Sequence, residues 1–298
     1  MALLYFSDRF HRESWINIGL AYFAGIVSVI FAGLAKEVMS IEAGASPEHI
    51  LGAFWYYLGP VATLEELSKV ALFFVLAWNF SFRDFSEPYD AMVYLGAIGV
   101  GFAVYEDFSY IFQTSLTPWK SGDIGRFQQV YGFMVWQRAF PGHILFNMLG
   151  GYFIGQARFL RKTLPRIKYI GVGVGVAIIS HTLFNLTARF GGPFWLSMYV
   201  ISLSWVTVSL RDDLLNRSPY NKIKQLGHTS NLIDKWNLLM KWNYPRDPGT
   251  YRDLELSDGL RRGAGLFPLL LSIFVLYPLL IAGLMYIHKG LVELVSYL

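Results

Sequence analysis

Residues 91–113 read AMVYLGAIGVGFAVYEDFSYIFQ, and this stretch decides the fold class. Its only charged side chains are those of Glu106 and Asp107. A helix needs about 20 mostly apolar residues to cross the hydrocarbon core of a bilayer. The stretch is long enough, and it therefore predicts a membrane-spanning helix that carries a carboxylate inside the membrane.

The composition of the whole chain agrees with a membrane protein. Of its 298 residues, 54% are hydrophobic and only 15% are charged, and the mean hydropathy is +0.39. A soluble domain usually carries about 25% charged residues, so the composition excludes an ordinary soluble enzyme. The net charge of +4 fits a lipid surface better than nucleic acid. The absence of cysteine excludes disulfides and thiolate chemistry.

Seven stretches have the length and composition of membrane spans. They are 15–35, 61–79, 91–113, 138–157, 169–188, 194–210 and 265–287. Residues 50–59 are apolar too, but Pro60 follows them, and proline disrupts a helix interior. We therefore predict a re-entrant or interfacial helix there. The predicted fold class is all-α: a polytopic transmembrane helix bundle of about seven spans, forming a single membrane domain over residues 1–298.

The distribution of Lys and Arg predicts the orientation of the bundle. With seven spans and the N-terminus inside, most of the 25 Lys and Arg residues lie in inner segments. The richest of these are 158–168 and 211–262, and the second is a polar cytosolic insert. Because cytoplasmic segments carry an excess of Lys and Arg, this orientation is favoured over its inverse.

Charged residues inside spans are costly and are therefore functional candidates. Glu65, Glu66 and Lys69 lie in TLEELSK at the start of span 61–79. Glu65 and Lys69 share a helical face by their i,i+4 spacing, and Glu66 is about 100° away. An ion pair that anchors the helix end would explain them. So would a carboxylate pair in which one member activates water and the other supports the site.

Three further spans carry isolated polar residues. Glu106 lies in the second half of span 91–113, His143 follows Pro141 and Gly142, and His181 precedes Asn185 by one helical turn. Each could be a structural residue satisfied by a neighbouring helix. However, at about 1.5 Å rise per residue all four sites fall about 6–10 Å from the outer ends of their spans. Independent structural residues have no reason to share a level, so the sequence predicts one site near the outer face.

Three carboxylates, two imidazoles and an amide suit a hydrolytic reaction. A Glu can take a proton from water, a His can assist it, and a His–Asn pair can stabilise an oxyanion. Alternatively, the same group can bind Zn²⁺ or another divalent metal, with ligands from Glu66, Glu106, His143 and His181. The residues alone leave metal-dependent and metal-free glutamate catalysis open.

Four motifs in this order resemble the PrsW family, which belongs to the wider group of CAAX-type and bacteriocin-processing intramembrane proteases. They are EELSK at 65–69, FAVYE at 102–106, the Arg–Pro–Gly–His run at 138–143 and HTLFN at 181–185. Each lies on its own span, and together they define a catalytic core of about 60–190. Asp107 stands where the family pattern has Asn. The residues that match the family's functional positions are Glu65, Glu66, Lys69, Glu106, His143, His181 and Asn185.

The resemblance implies a membrane-embedded endopeptidase of the prokaryotic cytoplasmic membrane. Its substrate would be a single-span membrane protein cut near the outer face, as in site-1 cleavage of an anti-sigma factor. One of Glu65 and Glu66 would activate the water, and Glu106 with His143 would bind a metal or assist that water. His181 and Asn185 would stabilise the tetrahedral intermediate. The competing hypotheses are an ion- or proton-coupled transporter and a non-catalytic immunity or scaffold protein.

Overall fold

The computed structural model describes residues 13–39, 47–80, 85, 87–138, 142–160 and 162–218. No strand occurs among these residues, which confirms the all-α prediction for this part of the chain. The helices are α1 (Trp15–Val38), α2 (Ile50–Tyr56), α3 (Leu64–Phe73), α4 (Pro88–Lys120), α5 (Ile124–Arg138), α6 (Gly142–Arg158), α7 (Thr163–Leu186) and α8 (Gly192–Arg217).

Three helical stretches are long and apolar enough to cross a membrane: Trp15–Val38, Pro88–Lys120 and Thr163–Asn216. They contain four of the predicted spans. The predicted spans 61–79 and 138–157 coincide with shorter helical segments around α3 and α6. The seventh span at 265–287, the chain before residue 13 and the insert beyond residue 218 lie outside the described residues. The total of seven spans therefore stays a prediction.

The helical path continues through Pro60, where the sequence predicted an interruption, whereas the interfacial or re-entrant position of residues 50–59 stays a prediction. The helical path runs without a break from Ile50 to Phe80, because two π-helical segments, Tyr57–Thr63 and Phe74–Phe80, flank α3. π-Helical turns are wider and relocate the hydrogen bonds that a proline cannot make. The hydroxyl of Thr63 donates to the carbonyl oxygen of Leu58 at 2.6 Å. The carboxylates of α3 therefore follow directly on an irregular turn.

Glycines bring the central helix α4 into close contact with its neighbours. A Cβ atom on Gly25 of α1 would lie 2.0 Å from the carbonyl oxygen of Ile98 on α4. A Cβ on Gly155 of α6 would lie equally close to the carbonyl oxygen of Pro88, at 2.0 Å. Small residues of this kind let transmembrane helices approach backbone to backbone. They hold α1, α4 and α6 at the short separations that assemble the polar residues.

A second group of buried polar residues lies near the beginning of α4, and the sequence analysis did not identify it. Tyr94 donates to the carboxylate of Glu13, and Glu87 and Asp90 form a capping box at the first turn of α4. All four side chains are buried. Asp90 and Glu106 are separated by about 24 Å at about 1.5 Å per residue. Buried charge is therefore not restricted to one level, although Glu13, Glu87 and Asp90 flank the predicted spans.

Candidate active site

Helix α3 supplies two buried carboxylates and a buried ammonium group. Glu65 is 2% exposed, and Glu66 and Lys69 are fully buried. The Nζ atom of Lys69 donates to Oε1 of Glu66 at 2.7 Å, so the ion pair within α3 has i,i+3 spacing. Glu65 does not pair with Lys69, as its i,i+4 spacing suggested, because Lys36 of α1 reaches its Oε1 atom at 2.5 Å.

Two histidines connect these carboxylates to α4, α6 and α7. The Nδ1 atom of His181 is 2.9 Å from Oε1 of Glu66, and its Nε2 atom is 3.8 Å from Oε2 of Glu65. His143 lies between Lys69 and Glu106: its Nδ1 atom is 2.9 Å from Lys69 Nζ, and its Nε2 atom is 3.0 Å from Glu106 Oε2. Four helices thus bring five of the predicted site residues into one cluster.

Aromatic rings surround the buried side of the cluster. The Lys69 ammonium lies 3.8 Å from the centre of the Phe102 ring, within the range of a cation–π contact. The Phe102 ring is also 4.7 Å from the ring of His143. On the other side, the rings of Phe146 and His181 stack with centroids 5.1 Å apart. These rings fix the imidazole planes and keep water from the inner face of the cluster.

Among the described residues, the cluster is most exposed at Glu106 and Lys36. The side chains of Glu66 and Lys69 are not exposed at all, while those of Glu106 and Lys36 are 15% and 28% exposed. Lys36 lies in the last turn of α1 and has Glu106 among its electrostatic neighbours. The most accessible part of the cluster therefore lies between the end of α1 and the middle of α4.

The donor set fits a divalent metal ion. One ligand atom each of Glu65, His143 and His181 lie within 4.8 Å of one another. The Oε2 atoms of Glu65 and Glu66 are buried and have no hydrogen-bond partner among the described residues. Carboxylate and imidazole groups at this spacing are suitable ligands for Zn²⁺.

The predicted ligand set of Glu66, Glu106, His143 and His181 stays a prediction, and the closely spaced donor atoms add Glu65 as a candidate carboxylate ligand. In the structure each of the predicted carboxylates bonds one ring nitrogen of a histidine: Glu66 bonds His181, and Glu106 bonds His143. A carboxylate in that position orients an imidazole for metal binding. The geometry favours Glu65 as the ligand, with Glu66 and Glu106 as the groups that orient the rings.

The remaining predicted residues lie at the edge of the cluster or outside the described part. Asn185 lies one turn after His181 and is partly buried, and the hydrogen bonds found among the described residues do not join it to the cluster. The side chain of Arg138 and all of Pro141 lie outside the described residues. Sequence reasoning missed Lys36, which directly follows the predicted span 15–35. No spacing in the sequence connects it with Glu65, 29 residues later.

Comparison with known proteins gives one consistent result. Residues 13–210 match the family described as PrsW family intramembrane metalloprotease. The chain is 25% identical over 215 residues to Protease PrsW of Clostridioides difficile (strain 630), covering 71% of this chain and 84% of the relative. It is 23% identical over 208 residues to Protease PrsW of Bacillus subtilis (strain 168), covering 69% and 85%. No solved structure matches the chain.

Proposed function

The chain belongs to the PrsW family of intramembrane metalloproteases and is therefore a membrane-embedded protease, and from this premise we propose that it hydrolyses a peptide bond of a single-span membrane protein near the outer face of the membrane. The proposal places the protein in the prokaryotic cytoplasmic membrane with its N-terminus inside. An anti-sigma factor cut at site 1 is the substrate class that the sequence motifs imply.

The observation that carries the proposal is the buried network of Glu65, Glu66, Glu106, His143 and His181. Ionisable groups inside a membrane protein are costly and are kept for a function. Here they come from four helices and are joined by contacts of 2.9–3.0 Å between histidines and their partners. The aromatic rings around them keep the environment dry, which strengthens each electrostatic interaction.

The contacts support different roles for the paired glutamates. Glu66 is held by Lys69 and by His181, so it supports the site. Glu65 keeps a buried Oε2 atom without a hydrogen-bond partner among the described residues, and that atom faces His181. We therefore assign Glu65 as the general base that accepts a proton from the attacking water. The water oxygen then bonds the scissile carbonyl carbon, and Glu65 returns the proton to the leaving nitrogen as the C–N bond breaks.

The tautomers of the two histidines follow from their partners. An ammonium group only donates, so Nδ1 of His143 accepts from Lys69 and its Nε2–H donates to Glu106. The Glu66 carboxylate only accepts, so Nδ1 of His181 carries a proton. The Nε2 lone pair of His181 is thereby directed toward Glu65. When Nε2 is protonated as well, it can donate to the oxyanion, with Asn185 as the predicted second donor.

Residues Glu65, His143 and His181 would hold a metal ion. A bound Zn²⁺ or similar ion supplies a Lewis acid that polarises the carbonyl and makes its water more acidic. With that ion bound, Glu65 would act as a ligand and not as the base, and Nδ1 of His143 would contact the ion in place of Lys69, while Glu66 and Glu106 would still accept from His181 and His143.

The test is cleavage of a single-span reporter by the purified protein in lipid nanodiscs. Glu65→Gln should lower kcat by about 10²- to 10⁴-fold, the usual contribution of a general base. Glu37→Gln is the matched control, because Glu37 is an exposed glutamate next to Lys36 and should leave kcat unchanged. Full activity of Glu65→Gln would contradict the assigned base, and coupled ion uptake without cleavage would favour the transporter hypothesis.

A further inference from the structure

Helix α4 continues well beyond the catalytic cluster. It extends to Lys120, which is about 21 Å past Glu106 at about 1.5 Å per residue. Its buried residues form a nearly continuous run from Pro88 to Phe102, and beyond that only Ser115 and Pro118 are buried. The turn at Ser121–Asp123 leads into α5, which packs chiefly against α4. Apart from Glu106, this extension, residues 103–120, therefore packs little against the other described helices.

The extension presents two chemically different faces. At about 100° per residue, Tyr110, Gln113, Thr117 and the terminal Lys120 lie within about 40° of Glu106 around the helix. All four are exposed. The other face lies about 100–160° away and carries exposed aromatic side chains, with the rings of Phe108 and Phe112 stacked 5.8 Å apart. Its members are Tyr105, Phe108, Phe112 and Trp119.

We propose that the stripe of Tyr110, Gln113 and Thr117 binds the uncharged polar polypeptide that adjoins the scissile bond of the substrate. This inference rests on the proposed function, since the substrate must reach Glu106, and the stripe continues from Glu106 along the same face of α4. Lys36, at the opening of the cluster, has both Glu106 and Tyr110 as electrostatic neighbours. The stripe therefore begins at the entrance to the site.

The chemistry of the stripe selects its occupant. Between Glu106 and Lys120 its side chains are uncharged, and they carry both donors and acceptors: a phenol, an amide and a hydroxyl. Such groups match the alternating N–H and C=O groups of an extended polypeptide, because each backbone unit offers one donor and one acceptor. The aromatic face is of the kind that lies at the membrane interface. With that face toward lipid, the stripe would run outward from the site, where the polar segment of a single-span substrate emerges.

The test uses a model substrate with and without the polar segment. The probe is a single-span peptide of about 20 apolar residues followed by a Ser, Gly, Asn and Gln segment, and the second probe lacks that segment. The double variant Gln113→Leu with Thr117→Val should raise KM for the full probe about tenfold, from the loss of two hydrogen bonds. Its kcat should not change, and KM for the short probe should not change either.

The matched control is Gln128→Leu on α5, because Gln128 is an exposed glutamine in the same helical hairpin. It should alter neither KM nor kcat for either probe. An unchanged KM for the full probe in the double variant would overturn the inference, and the polar face would then contact lipid headgroups or water.

A binding measurement separates this inference from the proposed function. The chain has no cysteine, so Gln113→Cys and Gln128→Cys each introduce a single thiol. In the Glu65→Gln background, a probe with one cysteine in its polar segment should form a disulfide with residue 113 and not with residue 128. Cross-linking at residue 113 without cleavage by the natural protein would contradict only the proposed function. Cleavage of the probe together with equal cross-linking at residues 113 and 128, or with no cross-linking at either, would contradict only the binding of the polar segment by the stripe.

Discussion

Lys36 and Lys69 both contact glutamates of the site, yet their surroundings differ. Lys69 is fully buried between Glu66, His143 and the Phe102 ring. The Lys36 side chain is 28% exposed and contacts Glu65 from the end of α1. Removing one partner of a buried ion pair leaves the other charge uncompensated, whereas a partly exposed charge is compensated by water. The two lysines should therefore respond differently to the same substitution.

We expect Lys69→Met to destabilise the protein by about 3–5 kcal/mol, the usual cost of breaking a buried ion pair. We expect Lys36→Met to cost less, about 1–3 kcal/mol, because it leaves the buried Glu65 carboxylate without its cation but opens a position that water can reach; it also lowers kcat because that carboxylate loses the contact that orients it. Thermal unfolding in detergent and reporter cleavage measure the two effects. Equal losses of stability in the two variants would contradict this distinction, and Lys36→Arg should restore part of the activity.

The assignment of Glu65 as a metal ligand gives a second prediction at this scale. Glu65→Gln should weaken Zn²⁺ binding by more than about 100-fold, while Glu66→Gln and Glu106→Gln, which remove groups that orient the ligands, should weaken it by about 10–100-fold. Competition with a fluorescent chelator measures the affinity. The opposite order would favour the ligand set with Glu66 and Glu106, and no binding by the natural protein would favour metal-free glutamate catalysis.

At the scale of single residues, the sequence was sufficient to identify the motif residues but not to predict which residues they contact. Scarcity of charge within the spans made Glu65, Glu66, Glu106, His143 and His181 recognisable. It could not show that Lys69 bonds Glu66 and not Glu65, because both spacings are possible on one helix. Lys36 was missed because its contact depends on how α1 packs against α3, which no local pattern encodes.

Helix packing around α4 depends on glycines at particular positions, and α1 provides a matched comparison. A Cβ on Gly25 would lie 2.0 Å from the backbone of α4, whereas a Cβ on Gly33 of the same helix would meet nothing within 4 Å. Backbone atoms cannot move aside as flexible side chains do. The same substitution at the two positions should therefore have opposite consequences.

We expect Gly25→Ala to force α1 away from α4, to lower the thermal unfolding midpoint and to reduce cleavage, because Lys36 lies on α1. Gly33→Ala should leave cleavage unchanged and raise helix stability by up to about 1 kcal/mol, since alanine is the better helix former. Both are measured by thermal unfolding and reporter kinetics in the same detergent. A Gly25→Ala protein with normal stability would show that the two helices are not held by this contact.

At the scale of helices, four of the spans predicted from hydropathy lie in helical stretches long and apolar enough to cross a membrane, but the interruption predicted at Pro60 is not found. A proline inside a helix costs a hydrogen bond and a steric clash, which predicted a break at Pro60. The π-helical segment Tyr57–Thr63 accommodates both the missing hydrogen bond and the clash, and it keeps the helical path continuous. Such a segment arises from tertiary packing and could not be predicted from the sequence. Irregular π turns often lie next to functional sites, and here the segment ends immediately before Glu65 and Glu66.

The orientation of the whole molecule decides which side of the membrane the site serves. The polar stripe on α4 and the turn after it would lie at one face of the membrane, and the connection between α6 and α7 would lie at the opposite face. The α6–α7 connection is rich in basic residues, including Arg158, Lys162 and Arg166, and cytoplasmic segments carry such an excess. We therefore expect Ser121, in the turn between α4 and α5, to be outside and Lys162 to be inside.

The cysteine-free chain allows a direct measurement of this orientation. Ser121 and Lys162 are both exposed, so Ser121→Cys and Lys162→Cys should react readily with thiol reagents wherever these have access. A membrane-impermeant maleimide should label Ser121→Cys in intact cells and label Lys162→Cys only after permeabilisation. The natural protein, which has no thiol, gives the background. The reverse pattern would place the cluster near the inner face, and a substrate cut on its outer side would then be excluded even if the protease activity itself were intact.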